Sequence, residues 1–477
     1  MSEGRRPNLL LLITDQQRAD TVVPGGPCLT PHLQGLAAQG ARFTRCYSPN
    51  PICSPTRASL FTGYLPHSHG VTDVTHAVKP PLAQLRDDMP FWSRELNRAG
   101  YATAYFGKWH VERSDALERF GFQEYEVELK LVGVQEHPGV FSPSLVLKDE
   151  GYRDLLVAGV TDEPASASRE HALFERGIDF VRRAAADPDR PWALVVSTEA
   201  PHDPFVAPRE VFDRYDPALL EPPASFRDPM TDRPAVYRRI RRTWEDLSEE
   251  DLAYATACYY ARCSMVDDEV GRLLAVLEET GQAEDTLVVF TSDHGDYLGA
   301  HGLMFKGVAA FEEAYRVPLV VRGPGVEAGL VVEEAVSLLD LPRTLVSLLL
   351  GVDYPCQGGD LSARLRGEAP AGAGEAFAEF HGQRLGYTQR VVWHGDWKYV
   401  FNGFDEDELY DLAADLHELR NLAADPEHAG TLREMARRMW RRLRETDDTT
   451  LLEAHYAMFR FAPVGPDAAD AADAPED

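Results

Sequence analysis

Asn8-Leu9-Leu10-Leu11-Leu12-Ile13-Thr14 is a run with an unbroken apolar centre that stops on Asp15-Gln16-Gln17, and the same pattern returns further along the chain. Trp192-Ala193-Leu194-Val195-Val196-Ser197-Thr198 delivers Ala200-Pro201-His202-Asp203-Pro204, and Thr286-Leu287-Val288-Val289-Phe290-Thr291 delivers Ser292-Asp293-His294-Gly295-Asp296. A strand that is apolar at successive positions has no face to give to water, so it belongs inside a parallel sheet covered on both sides. Segments of helical character separate these runs: Phe91 to Ala99, Ala172 to Ala186, and a long one reaching about Thr280 that opens at Ser248-Glu249-Glu250-Asp251 with capping-box spacing. Strand and helix alternate to about Leu350. The order predicts an α/β fold, with a mostly parallel central sheet flanked by helices on both faces. Ligands in such sheets bind beyond the carboxyl ends of the strands, which places Asp15, Gln16, Asp293 and His294 at one crevice.

After about Gly374 the pattern changes. Phe377 to His381, Arg390 to His394 and Trp397 to Phe401 read as short strands joined by turns, followed by a helix from about Pro426 to Thr446. The expected organisation is a catalytic α/β domain over 1–374, a smaller antiparallel sheet plus helix over 375–461, and a disordered acidic tail over 462–477. Val111 to Ser168 shows no firm periodicity and reads as a loop-rich insertion, a usual place for elements that shape a substrate site. A second irregular stretch, Pro208 to Asp246, carries Arg238, Arg239, Arg241 and Arg242.

The balance of 48 Lys+Arg against 77 Asp+Glu gives a net charge of −29. Nucleic acid and anionic membranes want a basic face, so neither is expected as a partner. An anionic small molecule remains admissible only if its site is locally positive. No stretch approaches the roughly 20 apolar residues of a membrane span. The apolar run Leu9 to Ile13 is shorter than the roughly 7–15 residues of a signal-peptide core, so no signal peptide is read and the expected compartment is the cytoplasm. Cys28, Cys46, Cys53, Cys258, Cys263 and Cys356 have no metal-like spacing, and no structural disulfides are expected. A homo-oligomer stays open.

One cysteine has a distinctive neighbourhood, Asn50-Pro51-Ile52-Cys53-Ser54-Pro55-Thr56-Arg57-Ala58-Ser59-Leu60-Phe61-Thr62-Gly63. Pro55 suits the first position of a helix, which puts Cys53 just ahead of free backbone N–H groups and the positive end of the helix dipole. Such a spot favours a thiolate-like nucleophile and an anionic substrate alike, and Arg57 adds a cation one turn in. A small buried hydrophobe beside a helix cap is the alternative reading of Cys53.

From Pro51 to Gly63 this stretch resembles, position by position, the signature of the type I sulfatases of the alkaline phosphatase superfamily. In that family a dedicated formylglycine-generating enzyme oxidises the cysteine to Cα-formylglycine. The resemblance implies an alkaline-phosphatase-like fold and hydrolysis of a small sulfate ester, with a formylglycine hydrate at position 53 as nucleophile. It further implies that Asp15, Gln16, Asp293 and His294 hold one divalent metal ion. Hard oxygen donors suit Ca²⁺, Mg²⁺ or Mn²⁺, and one imidazole tilts the set toward Mn²⁺, so Ca²⁺ or Mn²⁺ is expected. Many sulfatases carry Asp where this chain has Gln16 and Asn where it has His294. The version found here resembles choline sulfatases and phosphonate monoester hydrolases.

Gly107-Lys108-Trp109-His110 resembles the second sulfatase signature, apart from Phe106 where a smaller residue is usual. Phosphonate monoester hydrolases do not keep this Lys and His. The pair therefore favours a sulfate monoester, arylsulfatase-like, over the alternative of a phosphonate monoester or phosphodiester. His202 and Lys306 also match the family. By resemblance Arg57, Lys108 and Lys306 hold sulfuryl oxygens, His202 protonates the departing alcohol, and His110 or a neighbour serves as base. Glu408-Leu409-Tyr410-Asp411-Leu412 with Asn421-Leu422 is sulfatase-like without carrying chemistry. The likeness is weakest in 111–190 and 206–246.

Overall fold

A computed structural model of the chain describes residues 6–127, 144–148, 150–368, 372–403, 405–452 and 462–469. The three apolar runs lie side by side in it: Asn8–Asp15 pairs in parallel with Trp192–Pro201 on one edge and with Thr286–Ser292 on the other. The full sheet has nine strands, in the order Leu330–Val332, Ala41–Tyr47, Arg316–Arg322, Thr286–Ser292, Asn8–Asp15, Trp192–Pro201, Ala102–Gly107, Glu124–Val127, with Val336–Ser337 also on Ala41–Tyr47. Arg316–Arg322 runs against both of its neighbours, and the remaining pairs are parallel. Asn8–Asp15, Ala41–Tyr47, Ala102–Gly107, Trp192–Pro201 and Thr286–Ser292 therefore all end at the same edge.

Alternate side chains go to opposite faces of a strand, so a continuous apolar run needs two covers. Leu10, Leu12, Leu194, Val196, Val288 and Phe290 pack with Leu33 of Pro31–Gln39, Phe174 of Arg169–Ala184 and Leu273 of Glu249–Glu279. On the other face Leu9, Leu11, Ala193, Val195, Leu287 and Val289 meet Phe61 of Cys53–Thr62, Trp92 of Trp92–Arg98 and Leu345 of Leu341–Leu350. The long helix has its expected capping box, with Asp251 N donating to Ser248 Oγ at 3.0 Å and Ser248 N to Asp251 Oδ2 at 3.2 Å. The same helix supplies a cap elsewhere: Asp267 accepts from the backbone N–H groups of His32 and Leu33, while Thr30 hydrogen bonds to Thr21 O instead.

Glu375–Gln383, Leu385–His394, Trp397–Phe401 and Glu408–Asp411 form a four-stranded antiparallel sheet. Helix Ala429–Glu445 lays Met435, Met439, Trp440 and Leu443 against it. The sheet is tied to the loop ahead of Cys53. Asn50 Nδ2 donates to Glu379 O at 2.6 Å, and Glu379 N donates to Pro49 O at 2.9 Å.

The stretch read as a loop-rich insertion is more ordered than its sequence suggests. Glu124–Val127 extends the central sheet, and Ser144–Leu147 and Leu155–Thr161 form a second sheet with Phe205–Pro208. Val157, Ala158 and Val160 of this sheet join the core beneath the long helix, so burial is decided by packing that short segments do not announce. Ala235–Arg241 is likewise a short helix inside the second irregular stretch. Of the segment expected to be a disordered tail, the residues up to 469 are packed: Trp440 Nε1 donates to Val464 O at 2.8 Å and Ala469 is buried. Residues 470–477 lie outside the described residues. Among the described residues no helix is long and apolar enough to cross a membrane.

Candidate active site

Helix Cys53–Thr62 begins earlier than the Pro55 cue suggests, because Thr56 N bonds to Ile52 O at 3.2 Å. Cys53 is thus the first helical residue, and Pro55 stays within the first turn, where a missing N–H costs nothing. Every residue of this helix is buried. The loop before it is fixed by Asn50, whose Oδ1 accepts from Ile52 N at 2.9 Å, and by the Ser48 and Thr56 hydroxyls, 2.8 Å apart. Gly63 ends the helix at φ 79°, and a Cβ there would lie 2.5 Å from Cys356 Cβ.

Asp15, Cys53, Asp293 and His294 each bring one candidate ligand atom to a common point, all four atoms within 4.8 Å of one another. His294 Nδ1 sits 2.9 Å from Gly295 O, a geometry that puts the proton on Nδ1 and leaves Nε2 as a free donor to a cation. Nε2 is 3.4 Å from Cys53 Sγ and 3.6 Å from Asp15 Oδ1. Burial holds the His294 imidazole below its ordinary range although Asp293 opposes the shift. Asp293 Oδ1 accepts from the N–H groups of Gln16 and His294 at 3.1 and 2.9 Å, and its Oδ2 accepts from Arg57 Nε at 2.7 Å.

Asp15 Oδ2 meets the Lys108 ammonium and, at 3.4 Å, Arg57 Nη2. Asp15 Oδ1 is buried and has no hydrogen-bond partner. Burial alone would raise this carboxyl, but Lys108, His202 and Arg57 hold it well below the usual range. A charged, buried oxygen without a donor is costly unless a ligand completes it. With carboxylates on either side and a neutral imidazole facing the same point, the donor set fits a divalent cation.

Around this point the expected residues divide by what they touch. Arg57 is wholly buried and committed to protein: besides Asp293 and Asp15, its Nη1 donates to Ser197 Oγ at 2.8 Å and to Lys108 O at 2.9 Å. It braces the carboxylates. Lys108 reaches Asp15, and Asp15 outweighs burial to raise its pKa. Its turn is set by Trp109, which packs among Phe61, Tyr105, Phe120 and Phe122. Gln16, at φ 69°, faces Lys306: its Oε1 accepts from the Lys306 ammonium, and its Nε2 donates to Asp203 Oδ1 at 3.0 Å and Asp296 Oδ2 at 2.5 Å.

Lys306 Nζ is 2.6 Å from His202 Nε2, and His202 Nδ1 is 2.6 Å from Asp203 O. Burial disfavours charge on His202, but the Asp203 carboxylate outweighs it and raises the imidazole. Against the same burial, His202 and Lys306 bring Asp203 down to about 2. His110, at φ 55°, is held low by burial and Lys108; its Nε2 is 2.8 Å from His76 Nδ1, and its Nδ1 has no partner.

Asp203, Asp296, Ser197 and His76 were not singled out by sequence. Asp203 and Asp296 stand in the same strand-end strings as His202 and Asp293, and that placement was the available signal. Burial pushes Asp296 up to about 6; its Oδ1 accepts from Leu298 N at 2.7 Å and Phe305 N at 3.1 Å, which shapes the loop toward Lys306.

Over most of its length the chain is similar to known proteins. The family described as Sulfatase matches residues 7–352, and the family N-sulphoglucosamine sulphohydrolase, C-terminal, matches 299–446. A choline-sulfatase of Rhizobium meliloti (strain 1021) is 32% identical over 445 residues, covering 89% of this chain and 84% of that protein. An arylsulfatase of Clostridium perfringens (strain 13 / Type A) is 28% identical over 452 residues, covering 89% and 91%. Among solved structures, a phosphonate monoester hydrolase from Silicibacter pomeroyi superposes with a TM-score of 0.78 at 27% identity, covering 94% of this chain and 97% of that one. The chain belongs to the sulfatase family, within the alkaline phosphatase superfamily, and is a sulfuric ester hydrolase.

Proposed function

We propose that the enzyme cleaves small sulfate monoesters with residue 53 as nucleophile, after conversion of the Cys53 thiol to the Cα-formylglycine aldehyde. Asp15, Asp293 and His294, with Gln16 at their edge, hold one divalent cation, Mn²⁺ or Ca²⁺. The observation that carries this reading is the convergence on Cys53 of two ammonium groups, Lys108 and Lys306, with the Asp15–Asp293–His294 trio. When present, the hydrated aldehyde supplies one hydroxyl to attack sulfur and a second that permits release of sulfate by C–O cleavage, while a divalent ion offsets oxyanion charge.

The chain's own groups do the rest. Arg57, Lys108 and Lys306 face Asp15, Asp293, Asp203 and Asp296, so it is a bound divalent ion that turns the crevice positive inside an acidic protein. Lys108, held on Asp15, and Lys306, held on Gln16 and His202, receive the sulfuryl oxygens as fixed cations. His202, its Nδ1–H on Asp203 O, shares a proton at Nε2 with Lys306, and that proton goes to the departing alcohol oxygen. His110, neutral and with Nδ1 free, takes the proton of the remaining hydroxyl on residue 53 as sulfate leaves in the second half-reaction. Because Cys53–Thr62 is buried throughout, the formylglycine-generating enzyme must meet this segment before the chain folds.

Hydrolysis of phosphonate monoesters or phosphodiesters at the same site is the second reading, favoured by the Gln16 and His294 pair and by the solved structure of a phosphonate monoester hydrolase. The test is the mass of the peptide containing Cys53 in active enzyme, read alongside kcat/KM for an aryl sulfate and the matching aryl phosphonate. The expected result is a peptide lightened by exchange of the thiol for a carbonyl oxygen, with the sulfate preferred. An unmodified thiol in fully active enzyme rejects the nucleophile, and a preferred phosphonate installs the second reading.

A further inference from the structure

The hairpin joining Glu375–Gln383 to Leu385–His394 reaches from the C-terminal sheet to the rim of the active site. Its base is bonded to the nucleophile loop through Glu379, and its Phe380 packs with Ile52 and Val74 in a cluster that Tyr387 and Val308 also join. Its tip is pinned as well. Arg384 N donates to Asp73 Oδ2 at 2.7 Å, and a Cβ on Gly307, the neighbour of Lys306, would lie 3.6 Å from Gln383 Oε1. Arg384 therefore stands between the segment that carries Lys306 and the segment that carries His76, and His76 is hydrogen bonded to His110.

Three features of Arg384 exceed what a turn requires. Its backbone is left-handed, φ 65°, where Gly or Asn would sit more easily. Its side chain is exposed and its guanidinium has no hydrogen bond or ion pair with any described residue, in a chain rich in carboxylates. The Asp73 carboxylate lies against the backbone of Arg384, where its oxygens take the N–H groups of Val74 and of Arg384 itself and not the guanidinium. Arg384 is close enough to His76 to join burial, Lys108, Arg113 and His202 in holding that imidazole below its ordinary range.

Resting on the sulfate-ester reading above, we propose that Arg384 is a specificity-determining residue that binds a second anionic group, carboxylate or sulfate, on the alcohol portion of the ester. A free guanidinium presents paired N–H donors that match either anion, and an ester of a cationic alcohol meets repulsion at the same place. The hairpin's two anchors hold the donor at a set distance from residue 53, so the enzyme selects where the second anion sits as well as its sign.

The test compares phenyl sulfate, para-carboxyphenyl sulfate, phenylene bis-sulfate and para-trimethylammoniophenyl sulfate. In the wild type kcat/KM should rank the anionic esters first and the cationic ester last. Arg384→Ala should cut the ratio of para-carboxyphenyl to phenyl sulfate by about tenfold or more, Arg384→Lys should restore part of it, and Arg384→Glu should invert the order. A gain confined to the carboxylate or to the sulfate names the anion. The same esters titrated calorimetrically into Cys53→Ala give a readout independent of the nucleophile, in which Arg384→Ala must again weaken the anionic ester selectively. If that binding difference persists while the wild type cleaves no sulfate ester, the sulfate-ester reading has failed and the role of Arg384 stands. An unchanged ratio in Arg384→Ala, or an equal loss on neutral and anionic esters, overturns the role of Arg384.

Discussion

Two buried clusters of charge in this enzyme are built to opposite rules. Where the C-terminal sheet meets the end of Ala41–Tyr47, Lys398 bonds to Glu418 Oε1 at 2.6 Å and approaches Glu312 Oε1 at 3.4 Å. The remaining capacity is filled: Trp393 Nε1 donates to Glu312 Oε1 at 2.7 Å, Tyr47 to Glu312 Oε2 at 3.1 Å, and Glu312 N to Glu418 Oε2 at 2.8 Å. At the strand ends, by contrast, Asp15 Oδ1 and His110 Nδ1 have no partner, and Lys108 Nζ, though in ionic contact with Asp15, completes no hydrogen bond. Both clusters are inaccessible to bulk water, so burial does not separate them. Saturation does: a closed network fixes the C-terminal sheet to the α/β body, and an open one waits for metal and ester.

The largest effect expected from this difference comes from emptying the open cluster. Asp293→Ala should lose bound metal and lower aryl sulfate turnover by about a thousandfold or more, since metal and oxyanion stabilisation fail together. Its thermal midpoint should fall as well, because Arg57 and the N–H groups of Gln16 and His294 lose a buried partner, so turnover and metal are read per folded molecule. Elemental analysis showing full metal occupancy in the folded variant rejects the ligand assignment.

Lys398→Met applies the same operation to the closed cluster and should lower stability without touching metal or turnover. Removing one partner of a buried, fully bonded set leaves Glu312 and Glu418 facing each other with only Arg316, 3.9 Å from Glu312, in compensation, at a cost of about 3–5 kcal/mol in unfolding free energy. Turnover per folded molecule should be kept. A urea midpoint unchanged from wild type shows that the cluster does not tie the two parts of the chain. Lys108→Ala sits between these extremes. It should cost about 2–4 kcal/mol of transition-state stabilisation in kcat/KM, by analogy with removal of one preorganised donor. A loss below about tenfold places Lys108 outside the site.

The open cluster was far easier to find in the sequence than the closed one. Asp15, His202 and Asp293 each follow an apolar run whose length and composition announce a buried strand, and chain direction then aims them at one edge. Cys53 is embedded in a contiguous signature. Lys398, Glu312 and Glu418 carry no such frame, because each is an ordinary charged residue on a short strand, helix or turn and they meet only through tertiary packing. The same cause hid the bracing roles. The N–H groups of Arg57 meet Asp293, Ser197 and Lys108, and the amide of Gln16 meets Asp203, Asp296 and Lys306, contacts that neither motif announces. Such contacts join residues far apart in the chain, and local periodicity has no access to them.

The smallest effect tests a buried network that touches the nucleophile loop. His67 Nδ1 is 2.5 Å from Glu379 Oε1 and its Nε2 is 2.9 Å from Thr446 O, so the doubly protonated ring can donate at both ends and link the α/β body to the end of helix Ala429–Glu445. Glu379 also receives His381 Nε2 at 3.0 Å, and Asp448, bonded to Arg390, adds a further negative charge nearby. Burial disfavours the charged ring, but Glu379 outweighs it and raises the folded pKa above the ordinary 6.5. The linkage sign follows: the contribution to stability is complete below about pH 6.5 and is lost as pH rises through the folded value. His67→Gln should therefore lower unfolding free energy by about 1 kcal/mol near pH 6 and by progressively less in alkaline buffer. Urea midpoints of both proteins across that range decide the matter, and a gap that stays constant or widens with pH removes the charged His67 from the joint.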